Sequence, residues 1–146
     1  MLKEILDAAG LKAYVKTSGK KGLHILVPIV RSVTFKETRE FVHRIGQHLA
    51  KNNPKVVAEF SETKKPDRIF VDYTQNSHGR TMVCPYSLRV TEDASVSMPL
   101  DWADVKKKIK PSEFTITTAT RARKDPWENI FESRQKLEVK SLGEEK

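Results

Sequence analysis

Arg68-Ile69-Phe70-Val71-Asp72-Tyr73-Thr74-Gln75-Asn76 is a β-branched and aromatic run broken by one acid. Such a run predicts a strand, yet Asp is depleted from strands, and a carboxylate among apolar neighbours is costly without a partner. Three partners would satisfy Asp72: a metal ion, a clamped arginine, or a structural hydrogen bond. Arg68 shares its strand face by period-two counting, but same-face residues four apart lie too far for an easy contact. After the turn-forming cluster Asn76-Ser77-His78-Gly79, the segment Thr81 to Val90 returns as a second strand-like run, and the two together predict a hairpin.

Working outward, the same pattern occurs earlier in the chain. Leu2 to Ala9 predicts a short helix closed by Gly10. Leu11 to Lys16 and Leu23 to Ile29 then read as strands around the turn Thr17-Ser18-Gly19-Lys20-Lys21-Gly22, a first hairpin. From Thr34 the period becomes helical: Thr34 and Glu37 have capping-box spacing, Phe41, Ile45 and Leu49 (with Val42 and His48) form a stripe, and Asn52-Asn53-Pro54 ends it. Lys55 to Phe60 predicts a strand, Thr91 to Leu100 a loop, and Asp101 to Ile109 a helix N-capped by Asp101. Phe114 to Thr118 has β-branched alternation, and a last helix is predicted from Pro126 to about Val139. The fold class is therefore α+β, a mixed or antiparallel sheet of hairpins flanked by helices. One domain is expected over 1–139, with a frayed polar tail over 140–146.

Composition narrows the function classes. No apolar run approaches the ~20 residues of a membrane span, and the acidic start Met1-Leu2-Lys3-Glu4-Ile5-Leu6-Asp7 is unlike a signal peptide, so a cytoplasmic location and no membrane partner are expected. The single cysteine, Cys84, excludes an internal disulfide and a cysteine-rich zinc site, and reads as a small core hydrophobe. The net charge of +8 points to polyanions, with nucleic acid or nucleotide phosphate the usual cytosolic candidates.

Ser18-Gly19-Lys20-Lys21-Gly22 offers small residues that let backbone amides approach an anion, a hydroxyl, and two ammonium groups, which together suit a phosphate. It is not a Walker loop, and alone it also reads as an ordinary solvated turn. His24 shares a face with Leu26; it reads either as a satisfied sheet histidine or as a donor to a phosphate oxygen. His43, His48 and His78 show no metal-ligand spacing. Arg89, on the returning strand, could approach Asp72 or a phosphate, since a guanidinium suits two-point phosphate recognition. Loop, histidine, aspartate and arginine together suggest a nucleotide and metal site on one sheet face.

The segments Lys16 to Ile25, Arg68 to Tyr73 with Gln75-Asn76, Pro85-Tyr86-Ser87-Leu88-Arg89, Pro99-Leu100-Asp101-Trp102, Phe114-Thr115-Ile116 and Asp125-Pro126-Trp127 occur in this order. Together they closely resemble the polymerase domain of end-joining DNA ligases (ligase D), a member of the archaeo-eukaryotic primase superfamily. The resemblance implies a nucleotide-binding, metal-binding and DNA-binding nucleotidyltransferase of DNA repair by non-homologous end joining. It further implies that Ser18 and His24 contact the nucleotide's phosphates, that Arg89 binds the triphosphate, and that Lys16 supports them. Asp72 would be the catalytic ligand of Mn2+ or Mg2+.

One departure limits this. The family's first metal motif, Asp-x-Asp, precedes the serine-glycine loop, and no Asp-x-Asp occurs in this chain. Two-metal phosphoryl transfer holds its ions ~4 Å apart and needs several carboxylates. The chain is therefore expected to be the C-terminal part of a primase-polymerase core, inactive alone, that takes nucleoside triphosphates and DNA ends: either a split product that needs a protein partner carrying the missing half, a truncated piece, or a remnant. The alternative is a non-catalytic nucleotide- or DNA-binding module.

Overall fold

In the computed structural model, which describes residues 1–64, 66–105, 109–121 and 124–139, the elements run α1 (Leu2–Ala8), β1 (Tyr14–Thr17), β2 (Leu23–Leu26), α2 (Phe35–Asn52), β3 (Val56–Val57), β4 (Ile69–Phe70), β5 (Pro99–Leu100), α3 (Trp102–Val105) and α4 (Ile116–Ala119). Short 3-10 turns lie at Phe60–Lys64, Tyr73–Asn76, Pro111–Glu113 and Ile130–Glu132. Helices and both strand orientations make this an α+β chain. It divides into two compact units, one of Met1–Leu11, Ile29–Met82 and Gln135–Lys146, the other of Lys12–Pro28 and Val83–Arg134.

In the first unit, α2 starts as its sequence dictates. Thr34 accepts from the Glu37 amide at 3.2 Å, and Glu37 accepts from the Thr34 amide at 2.7 Å. Phe41, Ile45 and Leu49 are buried as the stripe requires, whereas His48 faces out. Gly46 lies where β3 and β4 approach the helix: a Cβ there would sit 3.2 Å from Val71 Cβ and 3.4 Å from Ala58 Cβ. β3 and β4 are parallel, with Val56 opposite Ile69 and Val57 opposite Phe70.

The second unit is a three-stranded antiparallel sheet in the order β2-β1-β5. The predicted first hairpin forms, with Lys16 opposite His24 and Val15 opposite Ile25. β5 covers the other edge of β1, pairing Val15 with Leu100. One face is apolar: Val15, Met98 and Leu100 form a core with Ile25, Trp102, Val105, Ile109, Phe114 and Ala119.

Several expectations fail for physical reasons. Arg68 to Asn76 is extended only at Ile69–Phe70, because the Asp72 carboxylate accepts from the Thr74 amide at 3.0 Å and from its hydroxyl, and so curls the chain into a 3-10 turn. Thr81 to Val90 forms no strand and no hairpin with it. Pro85 lacks a donor and Tyr86 adopts φ 62°, so extended structure stops there. The loop expected over Thr91 to Leu100 instead contains β5. Phe114 to Thr118 turns helical after Thr115, which caps α4 through Thr118. Pro126 to Val139 is not a helix, because tertiary partners take its backbone carbonyls: Asn129 accepts from Tyr14 Oη at 3.3 Å and Gln135 from the Val30 amide at 2.8 Å. Cys84 is exposed rather than a core residue. The tail 140–146 and the middle of the helix predicted over Asp101 to Ile109 lie outside the described residues.

Candidate functional site

The site is built on the polar face of the three-stranded sheet. Lys16, on the central strand, is fully buried. Its Nζ donates to Ser97 Oγ and lies 3.1 Å from His24 Nδ1 on the paired strand. An ammonium can only donate, so while Lys16 is charged Nδ1 accepts and the imidazole proton sits on Nε2. Ser97 Oγ passes the bond on, donating to the Thr17 carbonyl at 2.9 Å. Among the described residues no carboxylate pairs with Lys16. Burial, then the charge of Arg89, lowers its pKa to about 8, with Cys84 acting weakly the other way.

The glycine loop connects β1 to β2. Ser18 Oγ accepts from the amides of Lys20 and Gly22, both at 3.1 Å, and the Ser18 amide donates to the Gly22 carbonyl at 2.8 Å. The serine therefore shapes the turn, and Lys20 and Lys21 project into solvent. Gly19 has φ 69°, and its carbonyl accepts from Ser95 Oγ. A side chain at Gly19 would run into Arg89 Cγ and lie 3.2 Å from backbone atoms of Val96 and Ser97. Arg89 thus lies across the loop, close enough for its charge to act on Lys16.

Arg89 reaches this place by a route that the sequence reading did not anticipate. It is carried not by a hairpin with the Asp72 segment but by a ribbon against Ser95–Ser97. The Tyr86 amide donates to the Ser97 carbonyl at 2.8 Å, the Ser97 amide to Ser87 at 2.9 Å, and the Arg89 amide to Ser95 at 2.7 Å. Ser95 and Ser97, both buried and bonded to the Gly19 loop and to Lys16, are the residues of the candidate site that sequence reasoning missed. Their signal was the period-two alternation of Ser95-Val96-Ser97-Met98, which a loop assignment conceals.

Of the predicted residues, Lys16, Ser18, His24 and Arg89 fall in one unit, with Lys16 and His24 in direct contact. Asp72 belongs to the other unit and to no strand, so it is not on the sheet that carries Lys16 and His24. Its carboxylate is exposed and caps the turn Tyr73–Asn76. That turn is held against α2 by Tyr73, whose ring stacks on His43 at 4.1 Å and lies 5.0 Å from the Arg39 guanidinium. Among the described residues no three His, Cys, Asp or Glu side chains gather to hold a metal ion, so they do not by themselves fit a two-metal centre. What the arrangement can do chemically is bind an anion. Three cationic or proton-donating groups converge beside a backbone-rich loop, and among the described residues no carboxylate forms a salt bridge with Lys16 or Arg89.

Comparison with known proteins identifies relatives of this chain. A family model described as "LigD, primase-polymerase domain" matches residues 1–127. The bifunctional non-homologous end joining protein LigD of Bacillus subtilis is 34% identical over 119 residues, covering 80% of this chain and 20% of that protein. The multifunctional LigD of Pseudomonas aeruginosa is 34% identical over 139 residues, covering 91% of this chain and 16% of that protein. The polymerase domain of Mycobacterium tuberculosis ligase D, solved in complex with DNA, superposes with a TM-score of 0.74 at 28% identity, covering 88% of this chain and 46% of that one. The chain thus spans a fifth or less of these curated relatives and under half of the solved domain.

Proposed function

This chain belongs to the LigD primase-polymerase domain family, and from that premise we propose that it is the nucleotide-binding part of a DNA-repair nucleotidyltransferase acting in non-homologous end joining. The observation that carries the reading is the buried Lys16, bonded to His24 and pressed by Arg89, with no acid paired to it among the described residues. Holding a lysine in that setting is costly unless an anion completes it, and a triphosphate does so. In the bound state Arg89 clamps phosphate oxygens from one side of the glycine loop, His24 Nε2 donates to another, and Lys16 neutralises charge beneath them. Ser18 shapes the loop that they share.

Asp72 would contribute one carboxylate to a Mn2+ or Mg2+ centre. The described residues do not complete such a centre; the remaining acids would come from a segment that carries an Asp-x-Asp strand, which we propose lies on a protein partner. DNA ends are the acceptor, attracted by the net charge of +8.

Two measurements test this. Triphosphate should bind the isolated chain and weaken by about tenfold or more in His24→Ala and Arg89→Ala, the scale of one lost charge-assisted bond. Primer extension with Mn2+ should appear only when a chain carrying the two missing acids is added, and should vanish in Asp72→Ala. Extension by this chain alone that survives Asp72→Ala would sink the proposal. Triphosphate binding with no extension under any pairing would instead favour a non-catalytic binding module.

A further inference from the structure

We infer that Tyr86 and Asp125 form a latch that sets Arg89 and Ser97 in the phosphate site, acting as positioning residues and not as ligands; the inference rests on the nucleotide reading above. Tyr86 sits in the left-handed region at φ 62°, unfavourable for a bulky L-residue unless its surroundings hold it there. Here they do. Its amide donates to the Ser97 carbonyl at 2.8 Å, and its hydroxyl donates to Asp125 Oδ1 at 2.7 Å, across 39 positions of sequence. The same Asp125 oxygen accepts from the Trp127 amide at 2.9 Å. Trp127 in turn donates its indole N–H to the Val15 carbonyl at 3.1 Å and packs its ring edge-on to Tyr14. Asp125 is thereby tied to the strand that carries Lys16.

What the latch controls lies immediately downstream. With Tyr86 turned back, the chain leaves in register with Ser95–Ser97, so that the Ser97 amide reaches Ser87 and the Arg89 amide reaches Ser95. That register places Arg89 over Gly19 and keeps Ser97 Oγ under Lys16. Partial desolvation, followed by the Asp125 bond and charge, raises the pKa of the Tyr86 phenol, although the residue as a whole is 44% exposed. Neither Tyr86 nor Asp125 bonds to Lys16, His24 or Arg89 side chains among the described contacts, so their influence on nucleotide passes through the ribbon.

The experiment is a fluorescence titration of the full chain with mant-ATP. Tyr86→Phe, which removes one oxygen and leaves the Asp125–Trp127 bond, should weaken binding about tenfold, and Asp125→Ala should do the same. The double variant should be within about threefold of either single one, because both break the same link. On an Arg89→Ala background the effect of Tyr86→Phe should shrink below about twofold, a coupling that general loosening of the fold would not produce. Should Asp125→Ala fail to fold, Tyr86→Phe alone with and without Arg89→Ala decides the matter. Binding by Tyr86→Phe within about twofold of the parent, while Arg89→Ala has lost it, overturns the latch and leaves the nucleotide site standing. Unchanged binding in Arg89→Ala overturns the nucleotide site itself, and the latch with it.

Discussion

Lys16 sits in the only fully buried ammonium setting described in the chain, and its energetics give a pH signature. Its folded-state pKa of about 8 lies below the 10.5 of an exposed lysine. Between these values the unfolded chain holds a proton that the folded chain has shed, so this residue makes stability rise with pH across that window. Lys16→Met, similar in length and without charge, should leave stability unchanged or raised and flatten that alkaline slope, as measured by urea unfolding at pH 8 and pH 10. A bound triphosphate favours the charged lysine, so nucleotide affinity should fall as pH climbs above 8 in the parent chain. In Lys16→Met, affinity should be about tenfold or more weaker at neutral pH and independent of pH in this range. A parent-like affinity in that variant would remove Lys16 from the site. Asp72 presents the opposite case: its carboxylate is exposed and already engaged with Thr74, so its structural role is a cap whatever else it binds.

The element that organises the site is the β1–β2 turn. Ser18 closes it from within, Gly19 turns it through a positive φ, and Ser95 holds the Gly19 carbonyl from outside. Gly19→Ala tests this arrangement sharply. The added methyl meets Arg89 and backbone atoms of Val96 and Ser97 at 3.2 Å, and only the arginine can move. The left-handed conformation adds about 1–2 kcal/mol for an alanine. Thermal unfolding should therefore shift down, and mant-ATP binding should fall at least as far as in Arg89→Ala. A variant that binds nucleotide normally would mean that Arg89 does not need the space over the loop.

At the scale of the whole molecule, charge is the property that acts. With 27 Lys and Arg against 19 Asp and Glu, the chain should bind DNA through phosphate contacts whose affinity falls steeply with salt. Fluorescence anisotropy with a short duplex between 50 and 200 mM NaCl should give a linear log–log decline equivalent to roughly three or more neutralised phosphates. A flat response would reduce the basic charge to a solubility device.

By itself the sequence determined the features that depend on near neighbours. The capping box at Thr34, the Phe41-Ile45-Leu49 stripe and the hairpin around Gly19 all formed where local spacing put them, since each is closed by residues a few positions apart. The family motifs were likewise legible, because a chemical pattern of Ser18, His24, Asp72 and Arg89 survives without knowledge of contacts. Tertiary structure alone decided what those residues face. Asp72 left its strand because Thr74 offered a nearer hydrogen bond than any ladder. Ser95 and Ser97 became structural parts of the site because their backbones pair with Tyr86–Arg89 and their hydroxyls donate to the Gly19 and Thr17 carbonyls, and Pro126 to Val139 gave up its helix because Tyr14 and Val30 took its carbonyls. Backbone groups go to the best partner within reach, and for these segments that partner lies far away in the chain.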